Sequence, residues 1–344
     1  MNRDYWPTQA WRSADPEVVG LRPESLANLE REIRARYRSI SALLIVRRGY
    51  LVLERYCGGF GQGDTHLVAS VTKSFISALV GIAIDQGFIE GVHQSVLGFF
   101  PEYASAARDH LKRQITIKHL LTMTAGFQWR TGARNHELLL DRMRRSKDWV
   151  AFILDLPVRE GSCGSFQYNS GASHLLSAII TRSTGRCAQE FAAEHLFEPL
   201  GIDKPVADMQ HTYSQADVFR NRAGGWPKDP QGNSIGGWGL LLKPRDMARF
   251  GYLYLNGGHW DGQQIIPEKW VEDSVSPHTP GYGYQWWLRD VNGLFAFSAV
   301  GQGGNHIFCV PQLDLVVVVA SRPASRWRDR WLLLEEFVIP AVVQ

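Results

Sequence analysis

The chain has 344 residues, 44% of them hydrophobic and 21% charged, with a formal net charge of +3. This is the composition of an ordinary globular protein, and the length suits one compact enzyme of two lobes. So small a charge leaves no strong electrostatic footprint for nucleic acid, and no window holds the roughly 18 uninterrupted apolar residues of a membrane span. Residues 1–20 carry no apolar segment of a secretory signal, so the expected location is the cytoplasm.

Taken in chain order, the first predicted element is a helix over about Pro23 to Arg38. Leu26, Leu29, Ile33 and Tyr37 recur there at helical spacing, after a proline suited to a first turn. Ser41 to Arg47 and Tyr50 to Tyr56 are β-rich runs parted only by Arg48 and Gly49, which predicts a hairpin. A glycine-rich loop, Gly58 to Gly63, leads into a helix over about Val71 to Gln86. That helix is too apolar all round to lie on a surface.

The middle of the chain reads as helix and loop. Leu121 to Phe127 has the look of a helix end and turn. Trp149 to Leu156 and Gly171 to Thr184 are predicted helices, and Asn221 to Gly239, rich in Gly, Pro and Asp, is a long loop. Arg142, Arg144, Arg145 and Lys147 form the one basic cluster, expected as a solvated helix face. Four β-rich runs then come at hairpin spacing: Tyr282 to Arg289, Leu294 to Val300, His306 to Val310 and Leu313 to Ala320. Trp327, Trp331, Leu334 and Val338 mark a C-terminal amphipathic helix. Strands at both ends predict one antiparallel sheet covered by the first and last helices, with a mostly helical lobe between them. A site is expected in the cleft between the lobes.

Several motifs compete for the chemistry. Ser70-Val71-Thr72-Lys73 is an S-x-x-K element, which on a helix puts hydroxyl and amine on one face. A serine hydroxyl needs an adjacent base, and a lysine desolvated against an apolar helix can serve, because burial disfavours its ammonium form. With 8 lysines and 23 serines in the chain, chance alone supplies about half such a match, so the spacing means little by itself. Gly232-Asn233-Ser234-Ile235-Gly236 matches G-x-S-x-G, but WPKDPQ precedes it rather than the strand that a nucleophile elbow requires. The Thr72-Lys73-Ser74 echo of a phosphate-binding loop lacks the glycine before lysine. His136-Glu137 begins an H-E-x-x-H pattern, but Leu140 stands where the second histidine belongs. Cys57, Cys163, Cys187 and Cys309 are scattered, without a C-x-x-C pair, and indicate neither zinc nor redox chemistry.

The surroundings of Ser70 strengthen the first motif. Val68 to Phe75 is succeeded in order by Ile115 to Phe127 (ITIKHLLTMTAGF), Phe166 to Gly171 (FQYNSG), Leu196 to Ile202 (LFEPLGI), Gly236 to Gly251 (GGWGLLLKPRDMARFG) and Ala299 to Asn305 (AVGQGGN). This ordered set resembles the class C β-lactamase-related family of penicillin-recognising serine hydrolases, from about Val18 to Ser321.

The resemblance implies a β-lactamase/transpeptidase-like α/β fold. It is read as one domain over residues 1–344, its α/β lobe about 1–78 and 240–344 and its helical lobe about 79–239. It implies Ser70 as the acylated nucleophile, Lys73 as its partner and Tyr168 as a general base and acid. Ser170 stands where the family's Y-x-N element has Asn. Ala299-Val300-Gly301 takes the place of the K-T-G run, so Gln302 N–H is expected to complete an oxyanion hole with Ser70 N–H. Gly304 is the alternative register. In either register the cation of the β-lactamases is absent, and the chain looks more like the esterase and amide-hydrolase branches, including those similar to 6-aminohexanoate-dimer hydrolase. The expected partner is a small-molecule ester or amide, with no cofactor, metal or membrane. Trp129, Trp226, Trp238 and Trp286 are candidates to rim the cleft, beside Ser170 and Gly301.

Overall fold

The structure, a computed structural model, describes residues 3–104, 110–132, 137–158, 161–203, 225–322, 324 and 327–343. Its strands are β1 (Ile40–Arg47), β2 (Tyr50–Tyr56), β3 (His66–Leu67), β4 (Leu241–Leu242), β5 (His259–Trp260), β6 (Gln263–Gln264), β7 (Trp287–Val291), β8 (Leu294–Gly301), β9 (Asn305–Val310) and β10 (Leu315–Ser321). Four helices frame the core and the site: α1 (Pro23–Arg36), α2 (Thr72–Asp85), α3 (Ser170–Thr184) and α4 (Pro244–Leu255).

Six strands form one antiparallel sheet in the order β2-β1-β10-β9-β8-β7. The hairpin between β1 and β2 turns on Arg48 at φ 53° and Gly49 at φ 86°, the positive angles that a two-residue turn matching strand twist requires. The central strands read as unbroken apolar runs because both sheet faces are covered. Ala42, Leu44 and Val46 of β1 and Val316, Val318 and Ala320 of β10 point into one core with α2, α3 and α4. Leu43, Ile45, Val317 and Val319 point into a second core with α1 and the C-terminal helix. This is the predicted antiparallel sheet with its terminal helices, and the helical layer lies on its other face.

Three boundaries differ from expectation, each for a local reason. The strand expected over 282–289 starts at Trp287, because Gln285 sits at φ 65° and breaks the extended run. The last strand starts at Leu315, because Pro311–Leu313 forms a tight helical turn closed by Asp314 at φ 46°. The C-terminal helix starts at Trp331, beyond Trp327, and widens over Leu334–Val338. A second widened stretch, Ala193–Phe197, resembles it. In each case a proline, Pro199 or Pro340, lies two residues past the widened turn, where it removes a backbone donor and crowds the carbonyl four residues earlier.

Short β3 pairs with β4, setting His66 against Leu242 and Leu67 against Leu241. The pairing continues through Val68 N–H to Leu240 O at 3.0 Å. Leu240 N–H reaches Thr72 Oγ1 at 3.2 Å, and the Thr72 hydroxyl donates to Ala69 O at 2.7 Å. The turn ahead of α2 is thus tied to the segment leading into α4.

Candidate active site

Ser70 lies in the tight turn Ala69–Val71 directly before α2. Ala69 takes φ 50° there, a left-handed conformation that costs an alanine of order 1 kcal/mol or more. The neighbouring hydrogen bonds hold it. Ser70 is half-buried, while Lys73, one turn along, is buried. The Lys73 Nζ lies 3.1 Å from Ser70 Oγ, 2.8 Å from Ser170 Oγ and 2.6 Å from Gly237 O. It also lies 4.8 Å from the centre of the Tyr168 ring. Burial pulls its ammonium down to about 8, against the opposing pull of Glu137.

Tyr168 comes to this point through the start of α3. Asn169 caps that helix, its Oδ1 accepting from Ala172 N–H at 3.0 Å. Ser170 is therefore the first helical residue and faces Lys73. Gln167 N–H donates to Met123 O at 2.8 Å, and Thr131 Oγ1 donates to Tyr168 O at 2.6 Å. Burial pushes the Tyr168 phenol well up and Glu137 adds to this, while a hydrogen bond with Ser70 opposes both. Tyr168 is therefore a protonated phenol at neutral pH.

The strand edge facing Ser70 is the end of β8. A Cβ on Gly301 would lie 2.1 Å from Val68 O, so only glycine lets β8 approach the turn that carries Ser70 this closely. Asn305 Nδ2 bridges Gln302 O at 2.9 Å and Leu67 O at 3.3 Å, locking the following turn to β3. Gly304 N–H donates to Gly301 O at 3.1 Å and is occupied, whereas Gln302 N–H has no partner among the described residues.

The loop expected over 221–239 is described from residue 225, and there it is tightly built. Buried His174 of α3 meets Asp229 at 2.9 Å through Nε2 and Oδ2. Gly236 N–H donates to His174 Nδ1 at 3.3 Å, so Nε2 carries the proton toward Asp229. Asp229 also accepts from Gln231 N–H, Asn233 N–H and the Asn233 amide. These bonds press Gly237 against α3, where a Cβ would lie 2.8 Å from that of Ser170, and aim its carbonyl at Lys73.

Other sequence candidates lie elsewhere. Ser234 is fully buried and its hydroxyl accepts from Gln189 N–H at 3.0 Å, so it is no exposed nucleophile. Trp286 does not line the site: it is fully buried among Phe250, Tyr254 and Phe297. Its neighbour Trp287 stacks on Tyr168 at 5.9 Å and packs with Tyr282 and Phe166. Trp129 and Trp226 are core residues. Trp238 is half-buried, stacked on Trp149, with the Arg144 guanidinium 5.9 Å from its ring. Of the basic cluster, Arg144 is therefore packed rather than solvated.

Sequence reasoning weighed Glu137 only as part of an incomplete metal motif and missed its place beside Ser170. His136, the residue before Glu137, lies outside the described residues. The Glu137 carboxylate accepts from Ser170 N–H at 2.5 Å, from Ser170 Oγ at 2.5 Å and from Trp129 Nε1 at 2.6 Å. Its partner is 33 positions away, and no local pattern marks it. Among the described residues no cluster of His, Cys, Asp and Glu is arranged to hold a metal, and no helix is long and apolar enough to cross a membrane.

An antiparallel sheet backed by terminal helices, carrying a Ser–Lys pair at the head of a buried helix, defines a protein of the β-lactamase/transpeptidase-like fold. The chain belongs to the Beta-lactamase family, whose profile matches residues 26–332. It is 26% identical to 6-aminohexanoate-dimer hydrolase of Paenarthrobacter ureafaciens over 94% of this chain and 83% of that protein. The structure of a family VIII carboxylesterase superposes with a TM-score of 0.70 at 18% identity, covering 96% of this chain and 99% of the other. A penicillin-binding protein homologue from Caulobacter crescentus superposes at 0.69 with 17% identity, covering 94% and 99%.

Proposed function

We propose that the chain is a serine hydrolase that cleaves a small carboxylic ester or amide through an acyl-enzyme on Ser70. The observation that carries this reading is the 3.1 Å contact between Ser70 Oγ and the buried, readily deprotonated Lys73. Neutral Lys73 takes the Ser70 proton as Oγ attacks the carbonyl carbon. The carbonyl oxygen becomes an oxyanion between the Ser70 and Gln302 N–H groups, the latter favoured because Gly304 N–H is engaged. The Tyr168 phenol gives its proton to the departing alkoxide or amine, and the Lys73 ammonium restores it. Water then attacks the acyl-enzyme, releasing the acid and freeing Ser70.

The named activities of the hydrolase and carboxylesterase relatives support an ester or amide substrate. Met123, Tyr168, Tyr282, Trp287 and Phe166 make the wall beside the nucleophile apolar and aromatic. That wall suits an uncharged acyl group. The absence of lysine from Ala299-Val300-Gly301 argues against a β-lactam, whose carboxylate needs a cation there.

A fluorophosphonate probe tests the nucleophile. The folded protein is expected to gain one probe mass, located by peptide mapping on Ser70. A folded protein that stays unlabelled, or that is labelled on another serine, contradicts the proposal.

A further inference from the structure

Resting on that reading of Ser70 and Lys73, we infer that Glu137 is a positioning residue that orders the hydrogens between Ser170 and Lys73 and so aims the Lys73 lone pair at Ser70. Counting donors gives the direction of the chain. A serine hydroxyl has one hydrogen. In Ser170 that hydrogen goes to Glu137 Oε1 at 2.5 Å. Toward Lys73 Nζ, 2.8 Å away, the Ser170 oxygen is therefore an acceptor only. Gly237 O, at 2.6 Å, is also an acceptor only. A neutral lysine amine has two N–H bonds and one lone pair. Both N–H bonds are committed, to Ser170 and to Gly237, and the lone pair is left for the third neighbour, the Ser70 hydroxyl at 3.1 Å.

Glu137 is itself fixed. Trp129 Nε1–H at 2.6 Å and Ser170 N–H at 2.5 Å converge on its Oε2. That convergence makes Glu137→Gln a sharp probe. Two N–H donors demand an acceptor at Oε2, so the amide oxygen goes there and the amide NH2 faces Ser170 Oγ. The Ser170 hydroxyl then accepts from Gln and turns its hydrogen toward Lys73. The lone pair is now occupied, and Lys73 presents an N–H to Ser70 instead. A near-isosteric change thus reverses the chain.

The titratable groups facing this cluster are Lys73 from α2, Tyr168 from the entry to α3, Tyr282 from the segment before β7, and Glu137 itself. Of these, only Lys73 becomes neutral by losing a proton near neutral pH.

The test is burst-phase acylation by a p-nitrophenyl ester, followed against pH. Glu137→Gln is expected to slow acylation by about 100-fold, in the range of a misdirected general base. Its rising pH limb is expected below the wild-type position, because the carboxylate that favours the Lys73 ammonium is gone. A merely structural role lowers the melting temperature and leaves the limb in place. Ser170→Ala removes the hydroxyl that carries the order and is expected to lose about tenfold; adding Glu137→Gln to it then costs less than about threefold. The inference is overturned if Glu137→Gln acylates within about threefold of wild type on the pH plateau, wherever its limb lies, or if the two losses simply multiply. Activity surviving in Ser70→Ala is a separate outcome, and it strikes the parent reading instead.

Discussion

Lys73→Met is expected to lower kcat/KM on a p-nitrophenyl ester by about 10³- to 10⁴-fold, at the upper end of what general acid–base groups contribute. The side chain is of similar length and apolar, so the buried site stays filled, but the amine that meets Ser70 at 3.1 Å is gone. The wild-type pH dependence is expected to rest on the same amine. Lys73 titrates near 8, lowered by burial. Below that pH the amine is protonated and has no lone pair to take the Ser70 proton. The wild-type kcat/KM should therefore rise about tenfold per pH unit through the acidic range and level off above about pH 8. The residual activity of Lys73→Met should lack this limb. A variant that keeps the limb assigns it to another group and removes Lys73 as the base.

Gly301→Val is the second large effect. Val68 O lies 2.1 Å from where the new Cβ must go, and the Asn305 Cβ lies at 3.2 Å. Neither neighbour is the far end of a flexible chain, so β8 and the turn that carries Ser70 must part by more than an ångström. That displaces Gln302 N–H from Ser70. Misplacement of this size costs about 100-fold in rate, and overpacking adds about 1–3 kcal/mol of instability. Single-turnover acylation at saturating ester, with a denaturant titration on the same variant, separates the two effects. Wild-type acylation in Gly301→Val would mean that the β8 edge takes no part in catalysis.

Range decided which features were legible in the sequence. The buried strands at both chain ends announced themselves as β-rich runs, and α2 by its apolar surface. Ser70 and Lys73 share a helix face three residues apart, a spacing that gained weight only from the ordered family motifs around it, and Tyr168 emerged from the same motifs. Contacts between distant segments were not legible. Glu137 finds Ser170 across 33 positions, and the Gly237 carbonyl meets Lys73 across 164. Neither leaves a local pattern. Trp286 was a candidate for the cleft rim and Trp287 was not, and the structure places them the other way round for a different reason. Reading one strand through both residues gives a definite alternation, but Gln285 at φ 65° resets it. Gln285 is held there by Ser74, Ser173, Leu120 and Leu121 together, a convergence no strand pattern foretells. The outcome is that Trp287, not Trp286, stands on Tyr168.

The competing serine gives the most direct test of the account. Ser70→Ala and Ser234→Ala are compared by kcat/KM on one p-nitrophenyl ester, each confirmed folded. Ser70→Ala is expected to lose about 10⁴-fold or more, as removal of a nucleophile does. Ser234→Ala removes the hydroxyl that accepts from the Gln189 N–H, a loss of about 0.5–1.5 kcal/mol of stability, but it should hold kcat/KM within about threefold. Substantial turnover by Ser70→Ala would contradict the account at its centre.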